Sequence, residues 1–109
     1  MATNYKVLGQ VNPSATTATT LYTVPSATQS IVSTLTVTNQ TATAGAYRIS
    51  LRVAAAADNA KQYIAYDVSL PGNATDTLTL GVTLGATDVI TVYASAATFS
   101  FNAFGSELS

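Results

Sequence analysis

The chain contains no histidine, no cysteine and no tryptophan, and only 8% of its 109 residues are charged. Each absence removes a class of chemistry. Without cysteine there is no disulfide, no thiolate nucleophile and no cysteine-bound zinc or iron–sulfur centre. Without histidine, the side chain that titrates nearest neutral pH is missing as general base and as metal ligand. With Lys6, Arg48, Arg52 and Lys61 as the whole set of cations and a net charge of −1, counterion release supplies little affinity for nucleic acid. An average domain carries about 25% charged residues. Here Thr, Ser, Ala and Asn stand where charge would otherwise cover the surface.

Long apolar runs are missing as well, so no segment approaches the roughly 20 residues of a membrane-spanning helix. The opening Met-Ala-Thr-Asn-Tyr-Lys has no apolar stretch and does not read as a signal peptide. The expectation is a chain made in the cytosol, with a Thr/Ser-rich exterior suited to work outside cells. A virion component meets both conditions, being built in a host cytoplasm and released by lysis.

What the sequence does contain is alternation. Ile31, Leu35 and Val37 fall on one face against Thr34, Thr36 and Thr38. Tyr47, Ile49, Leu51 and Val53 oppose Arg48, Ser50 and Arg52. Ile64, Tyr66, Val68 and Leu70 share a face, and Leu78, Leu80, Val82 and Leu84 alternate with threonines. Ile90 with Val92, and Phe99 with Phe101, mark two more strands, and Tyr5–Val11 and Thr19–Val24 read as weaker ones. Turn residues separate them: Asn12-Pro13-Ser14, Pro25-Ser26, Asn39 to Gly45, Asp58-Asn59, Pro71-Gly72-Asn73 and Gly85 to Asp88. Ala54–Ala57 reads as strand end and loop. The pattern predicts one all-β domain over 1–109, an antiparallel β-sandwich of about eight strands, as a jelly roll or an Ig-like Greek key.

Five carboxylates, Asp58, Asp67, Asp76, Asp88 and Glu107, are too scattered for a calcium loop. Asp58 and Asp88 sit in predicted turns, where Asp bonds nearby backbone. No catalytic, cofactor-binding or metal-ligating residue is assigned, and no cofactor is expected. Asn39-Gln40-Thr41 and Asn73-Ala74-Thr75 match the glycosylation sequon by chance in a Thr-rich chain. Tyrosine is enriched at interfaces. Tyr47 and Tyr66 share faces with aliphatic residues and are expected in the core. Tyr63 and Tyr93 lie on the opposite faces and are candidate contact residues. Arg48 and Arg52, on one strand face, are candidates for pairing within the chain or with a neighbouring subunit. A charge-poor, β-branched exterior leaves sheet edges unguarded, so assembly is expected.

Several segments together carry a resemblance. They are Thr20-Leu21-Tyr22-Thr23-Val24-Pro25, the strand ending in Val37-Thr38-Asn39, Tyr63-Ile64-Ala65-Tyr66-Asp67, Thr77-Leu78-Thr79-Leu80-Gly81 and Phe99 to Gly105. From about Lys6 to Glu107 the chain resembles small structural proteins of tailed bacteriophages, including those infecting cyanobacteria and marine bacteria. The resemblance is one of pattern and carries no functional residues. It implies a β-sandwich module of the virion, either a decoration (cement) protein bound to the major capsid protein, often a trimer, or a neck, baseplate or tail-fibre component. The expected partners are other virion proteins and copies of itself, with no nucleic acid and no membrane. A carbohydrate-binding sandwich using Tyr63 or Tyr93 as its platform is the alternative from a different class.

Overall fold

Alternating β-branched and aliphatic residues form strands wherever a pleated surface can bury one face. The computed structural model describes residues 2–109. Nine strands follow in order: β1 (Thr3–Val11), β2 (Thr19–Thr23), β3 (Gln29–Asn39), β4 (Gly45–Arg52), β5 (Tyr63–Leu70), β6 (Thr75–Leu78), β7 (Val82–Leu84), β8 (Val89–Ala94) and β9 (Phe99–Leu108). One antiparallel sheet runs β1-β9-β3-β6, with β7 also paired to β3. The other runs β2-β8-β4-β5.

The pairing order is reversed along the chain. β1 pairs with β9, β2 with β8, β3 with β7 and β6, and β4 with β5. The chain is thus one long hairpin, rolled so that successive pairs fall in alternate sheets. That is the connectivity of a jelly roll, and it decides between the two topologies that the alternation left open. The hairpin's tip is the 53–62 segment, which holds two single-turn 3-10 helices, Val53–Ala55 and Ala60–Gln62. Ala54 and Ala55 both take left-handed backbone there, at φ 54° and 58°.

Between the sheets lie Leu35, Val37, Tyr47, Ile49, Leu70, Ile90, Val92, Phe99 and Phe101, all essentially inaccessible. Tyr47 meets Phe101 edge-on, with centroids 6.2 Å apart, and its hydroxyl donates to Asp76 Oδ2 at 2.8 Å.

Two expectations from the alternation are corrected by β-bulges, which reverse the in–out parity of every residue beyond them, and two more by breaks in the strands. In β3 the extra residue lies between Val32 and Thr34, so Val32 is buried and Ile31 turns outward. In β5 shifts fall between the partners of Tyr47 and Ile49, and again between those of Ile49 and Ser50. Ala65 therefore points inward, while Ile64 and Tyr66 are exposed. The stretch expected as one strand over Leu78–Leu84 is two, β6 and β7. The break includes Gly81 at φ 63° and faces the β3 bulge. Val53, expected on the core face, sits in the tip and is exposed.

Two polar hubs fix the ends of the sandwich. Asn39, buried at the end of β3, donates to the carbonyls of Thr43, Leu70 and Pro71 and accepts from the Thr41 N–H and the Thr98 hydroxyl. Its burial closes the first sequon to a glycan. Asn39→Ala orphans several of these groups at once and is expected to cost about 2–4 kcal/mol in urea denaturation.

At the other end the buried Glu107 accepts from the Tyr22 hydroxyl at 2.5 Å and pairs with the Lys6 ammonium at 3.0 Å, while Tyr22 also shares a hydrogen bond with Ser30. Burial, then the Glu107 contact, pushes the Tyr22 phenol up to about 12. The Tyr22 hydroxyl and then Lys6 hold Glu107 below the ordinary carboxylate range, against the opposing effect of burial. A depressed carboxylate contributes stability at pH values above its unfolded pKa of about 4.3, and that stability fades as pH falls through the folded value. Tyr22→Phe is expected to lower stability at neutral pH by about 1–3 kcal/mol and to flatten the acid-side decline. Melting temperatures taken from neutral to acidic pH check both.

Candidate functional site

The outer face of the β2-β8-β4-β5 sheet gathers most of the aromatic and cationic side chains that the sequence singles out. Arg48 of β4 lies opposite Tyr93 of β8 in the ladder. On its other side the β5 bulge sets Tyr66 and Asp67 against the single residue Arg48. Asp67 takes the left-handed conformation at φ 49°, which Asp tolerates better than most residues. The Arg48 guanidinium carbon lies 4.3 Å from the ring centroids of both Tyr66 and Tyr93. Its Nε donates to Asp67 Oδ1 at 2.6 Å and a second nitrogen donates to Oδ2 at 3.2 Å, a two-pronged grip. Tyr63 meets Tyr66 edge-on, with centroids 4.9 Å apart. Residues three apart fall on opposite faces of a regular strand; the irregular register of β5 is what lets these two rings meet.

The arrangement is internally satisfied. Arg48 has an aromatic ring on two sides and a carboxylate at its edge, which raises its own pKa and holds Asp67 below the usual range. Beside it is an open depression of about 630 Å3 lined by Asp58, Asn59, Ala60, Tyr63 and Tyr66. Its rim is built by a capping box: the Asn59 side chain accepts from the Lys61 N–H, and the Gln62 side chain accepts from the Asn59 N–H. The buried Gln62 also donates to the Ala57 carbonyl at 2.9 Å.

Arg52 stands apart from this cluster. It donates to the carbonyls of Ala56 at 2.8 Å and Ala55 at 3.2 Å and lies 3.7 Å from Asp58, so it holds the hairpin's tip in place. Asp88 supports the same tip, accepting from the Ala54 and Gly85 N–H groups. Of the four candidate contact residues, the structure brings together Tyr63, Tyr93 and Arg48 and assigns Arg52 to the loop. Tyr66, expected in the core, is the most exposed ring of the cluster, and Asp67, in the sequence only one of five scattered carboxylates, supplies its anion. The only sequence signal for either is a Tyr-Asp step inside a strand, where Asp fits a bulge.

Chemically the cluster offers flat aromatic surface and one neutralised cation: a surface for stacking and contact. Among the described residues no three carboxylates converge as a metal site. Compared with protein-family models, with curated proteins and with solved structures, the chain gives no significant match.

Removing the guanidinium tests the cluster's electrostatics. Asp67 is expected to titrate below the ordinary carboxylate range in the native chain and to return to that range in Arg48→Ala, with the Tyr66 and Tyr93 ring resonances moving in the same variant. Carboxyl and aromatic NMR titrations follow both.

Proposed function

We propose that this chain is a structural subunit of a bacteriophage virion, a decoration or cement protein that binds the major capsid protein and stabilises the head without catalysing a reaction. The observation that carries the reading is how the charges are used. Of nine charged side chains, six are tied in the pairs Lys6–Glu107, Arg48–Asp67 and Arg52–Asp58. Asp76 accepts from Tyr47, and Asp88 accepts from two backbone N–H groups. Among the described residues only the Lys61 ammonium has no partner within the chain.

The exterior therefore presents hydroxyls, alanine and exposed apolar groups, including Tyr5, Tyr66, Val53 and Leu80, with almost no free charge to repel a neighbour. Such a surface fits repeated contact with other subunits, where many weak contacts add up to firm attachment. A jelly roll is also an architecture of viral capsid domains, and this supports the reading by analogy of fold. The resemblance of the sequence to phage structural proteins points the same way.

The depression beside Tyr63 and Tyr66 favours a second reading, a carbohydrate-binding sandwich, since exposed rings at a groove suit stacking on a sugar. A glycan array addresses it: retention of a sugar that is lost in Tyr66→Ala would support this reading.

Quantitative mass spectrometry of purified virions, referenced to the major capsid protein, tests the main reading. A ratio of one copy per capsid subunit, or a simple fraction of that, is expected. A few copies per particle would move the chain to neck, baseplate or tail fibre, and absence from the particle would overturn the virion reading. Because the surface carries so little free charge, attachment to the capsid is also expected to change little with added salt.

A further inference from the structure

The two sheets have four edges, and three of them are guarded. The β6/β7 edge is broken in two around Gly81. The β5 edge carries two register shifts and the left-handed Asp67. β2 is five residues long, is irregular between Thr20 and Tyr22, and packs so closely on β1 that a Cβ at Gly9 would lie 2.2 Å from the Leu21 carbonyl oxygen. Short, bulged and broken strands are the usual protection of an edge.

β1 has none of these devices over Thr3–Val7. The five residues run in unbroken register with β9, contain no proline, and are all exposed. The single charge there, Lys6, reaches Glu107 within its own chain.

The phase of the ladder tells which groups this edge offers. Ala2 and Ser109 exchange both backbone hydrogen bonds, at 2.7 and 2.9 Å. Hydrogen-bonded and non-bonded pairs alternate in an antiparallel ladder. Asn4 opposite Glu107 and Lys6 opposite Gly105 are therefore bonded to β9, and the N–H and C=O groups of Thr3, Tyr5 and Val7 point away from it, to the free edge. On the outer face Tyr5 stands 85% exposed, Val7 47% and, two strands away, Ile31 41%, forming with Phe104 a largely apolar stripe in which Ser106 lies between Tyr5 and Ile31.

We propose that two copies of the chain pair through these edges, β1 against β1 antiparallel, with the two-fold axis at Tyr5. In this register Thr3 faces the partner's Val7, Tyr5 faces the partner's Tyr5, and all three outward residues satisfy their free backbone groups. Lys6 then lies opposite the partner's Asn4. A register centred on Lys6 would place two ammonium groups side by side on one face, where like charges directly opposite are destabilising. The partner is another copy of this chain because the edge matches itself in hydrogen-bond phase and, in this register, sets no like charges opposite each other. The resulting symmetry is two-fold, unlike the trimer that the phage resemblance implies, and it does not depend on the virion assignment. Two copies form one continuous sheet, and the two stripes meet at the axis through Tyr5 and the partner's Tyr5.

Analytical ultracentrifugation of the full chain over a wide concentration range tests the pairing. A monomer–dimer equilibrium is expected, and it should be lost in Tyr5→Pro. The Tyr5 N–H is not used inside the chain, so proline removes an intermolecular donor and leaves the β1–β9 ladder intact. Thr3→Pro serves as a second variant on the same reasoning should Tyr5→Pro fail to fold.

The chain has no cysteine, so oxidation of single-cysteine variants reads the register. Facing hydrogen-bonded residues have Cα atoms about 5.5 Å apart, within disulfide range. Tyr5→Cys should cross-link to dimer about tenfold or more faster than Asn4→Cys or Lys6→Cys. A chain that stays monomeric at every concentration would overturn the proposal. So would a dimer or trimer that survives both proline variants, or fastest cross-linking in Lys6→Cys.

Discussion

The two-residue period of a β-strand allows a side chain to point in or out and nothing between, so one inserted residue reverses everything beyond it. Much of this protein's surface character follows from where that reversal occurs. The β9 strand lies between β1 and β3, and both neighbours bulge beside the same stretch, around Ala103 to Gly105. The paired irregularities keep Leu8 and Val32 in the core while turning Val7 and Ile31 to the outside. In the opposite sheet, the irregular β5 sends Tyr66 out over Arg48 and lets alanine line the core in its place. Both exposed surfaces of interest, the tyrosine–arginine cluster and the apolar stripe beside β1, therefore depend on departures from regular pleating.

Charge is arranged to the same end. The few ionic groups work as internal fastenings: Lys6 and Glu107 tie β1 to β9, Arg48 and Asp67 hold the β5 bulge, and Arg52, Asp58 and Asp88 secure the tip of the hairpin. The two more exposed pairs, Arg48–Asp67 and Arg52–Asp58, contribute little to stability. The effect of all these fastenings is positional, since each holds a loop, bulge or edge strand that the apolar core alone does not fix. What is left facing solvent is nearly uncharged.

How much of this could be read from the residues depended on the period. Strands with clean alternation, such as Leu35–Val37 and Tyr47–Ile49, were legible with their faces, and the Pro, Gly and Asn-Pro breaks placed the turns correctly. Ile31, Tyr66 and Val53 read as inward because a bulge or a chain reversal leaves no apolar signature of its own; its trace in β5 is a tolerant residue, Asp67. Pairing order was beyond reach for a different reason. Most contacts join residues far apart in the chain, and alternation says nothing about which strand lies beside which. The cluster around Arg48 is half visible: Tyr63, Tyr93 and Arg48 stand on polar faces, while the bulge at Tyr66 and Asp67 reverses the parity that would place the ring completing it.

The rolled hairpin also sets an order of events in time. β1, made before every other strand of the sandwich, has its hydrogen-bonding partner in β9, the last of them. Closing that pair joins residues separated by nearly the whole chain, the kind of distant contact that folds slowly. Until β9 is in place, Thr3–Val7 has no neighbour to hold it extended and therefore offers no ordered edge. The topology acts as a timer: a partly synthesised chain lacks the finished edge strand, and that surface becomes available for pairing only after the rest of the sandwich exists to support it.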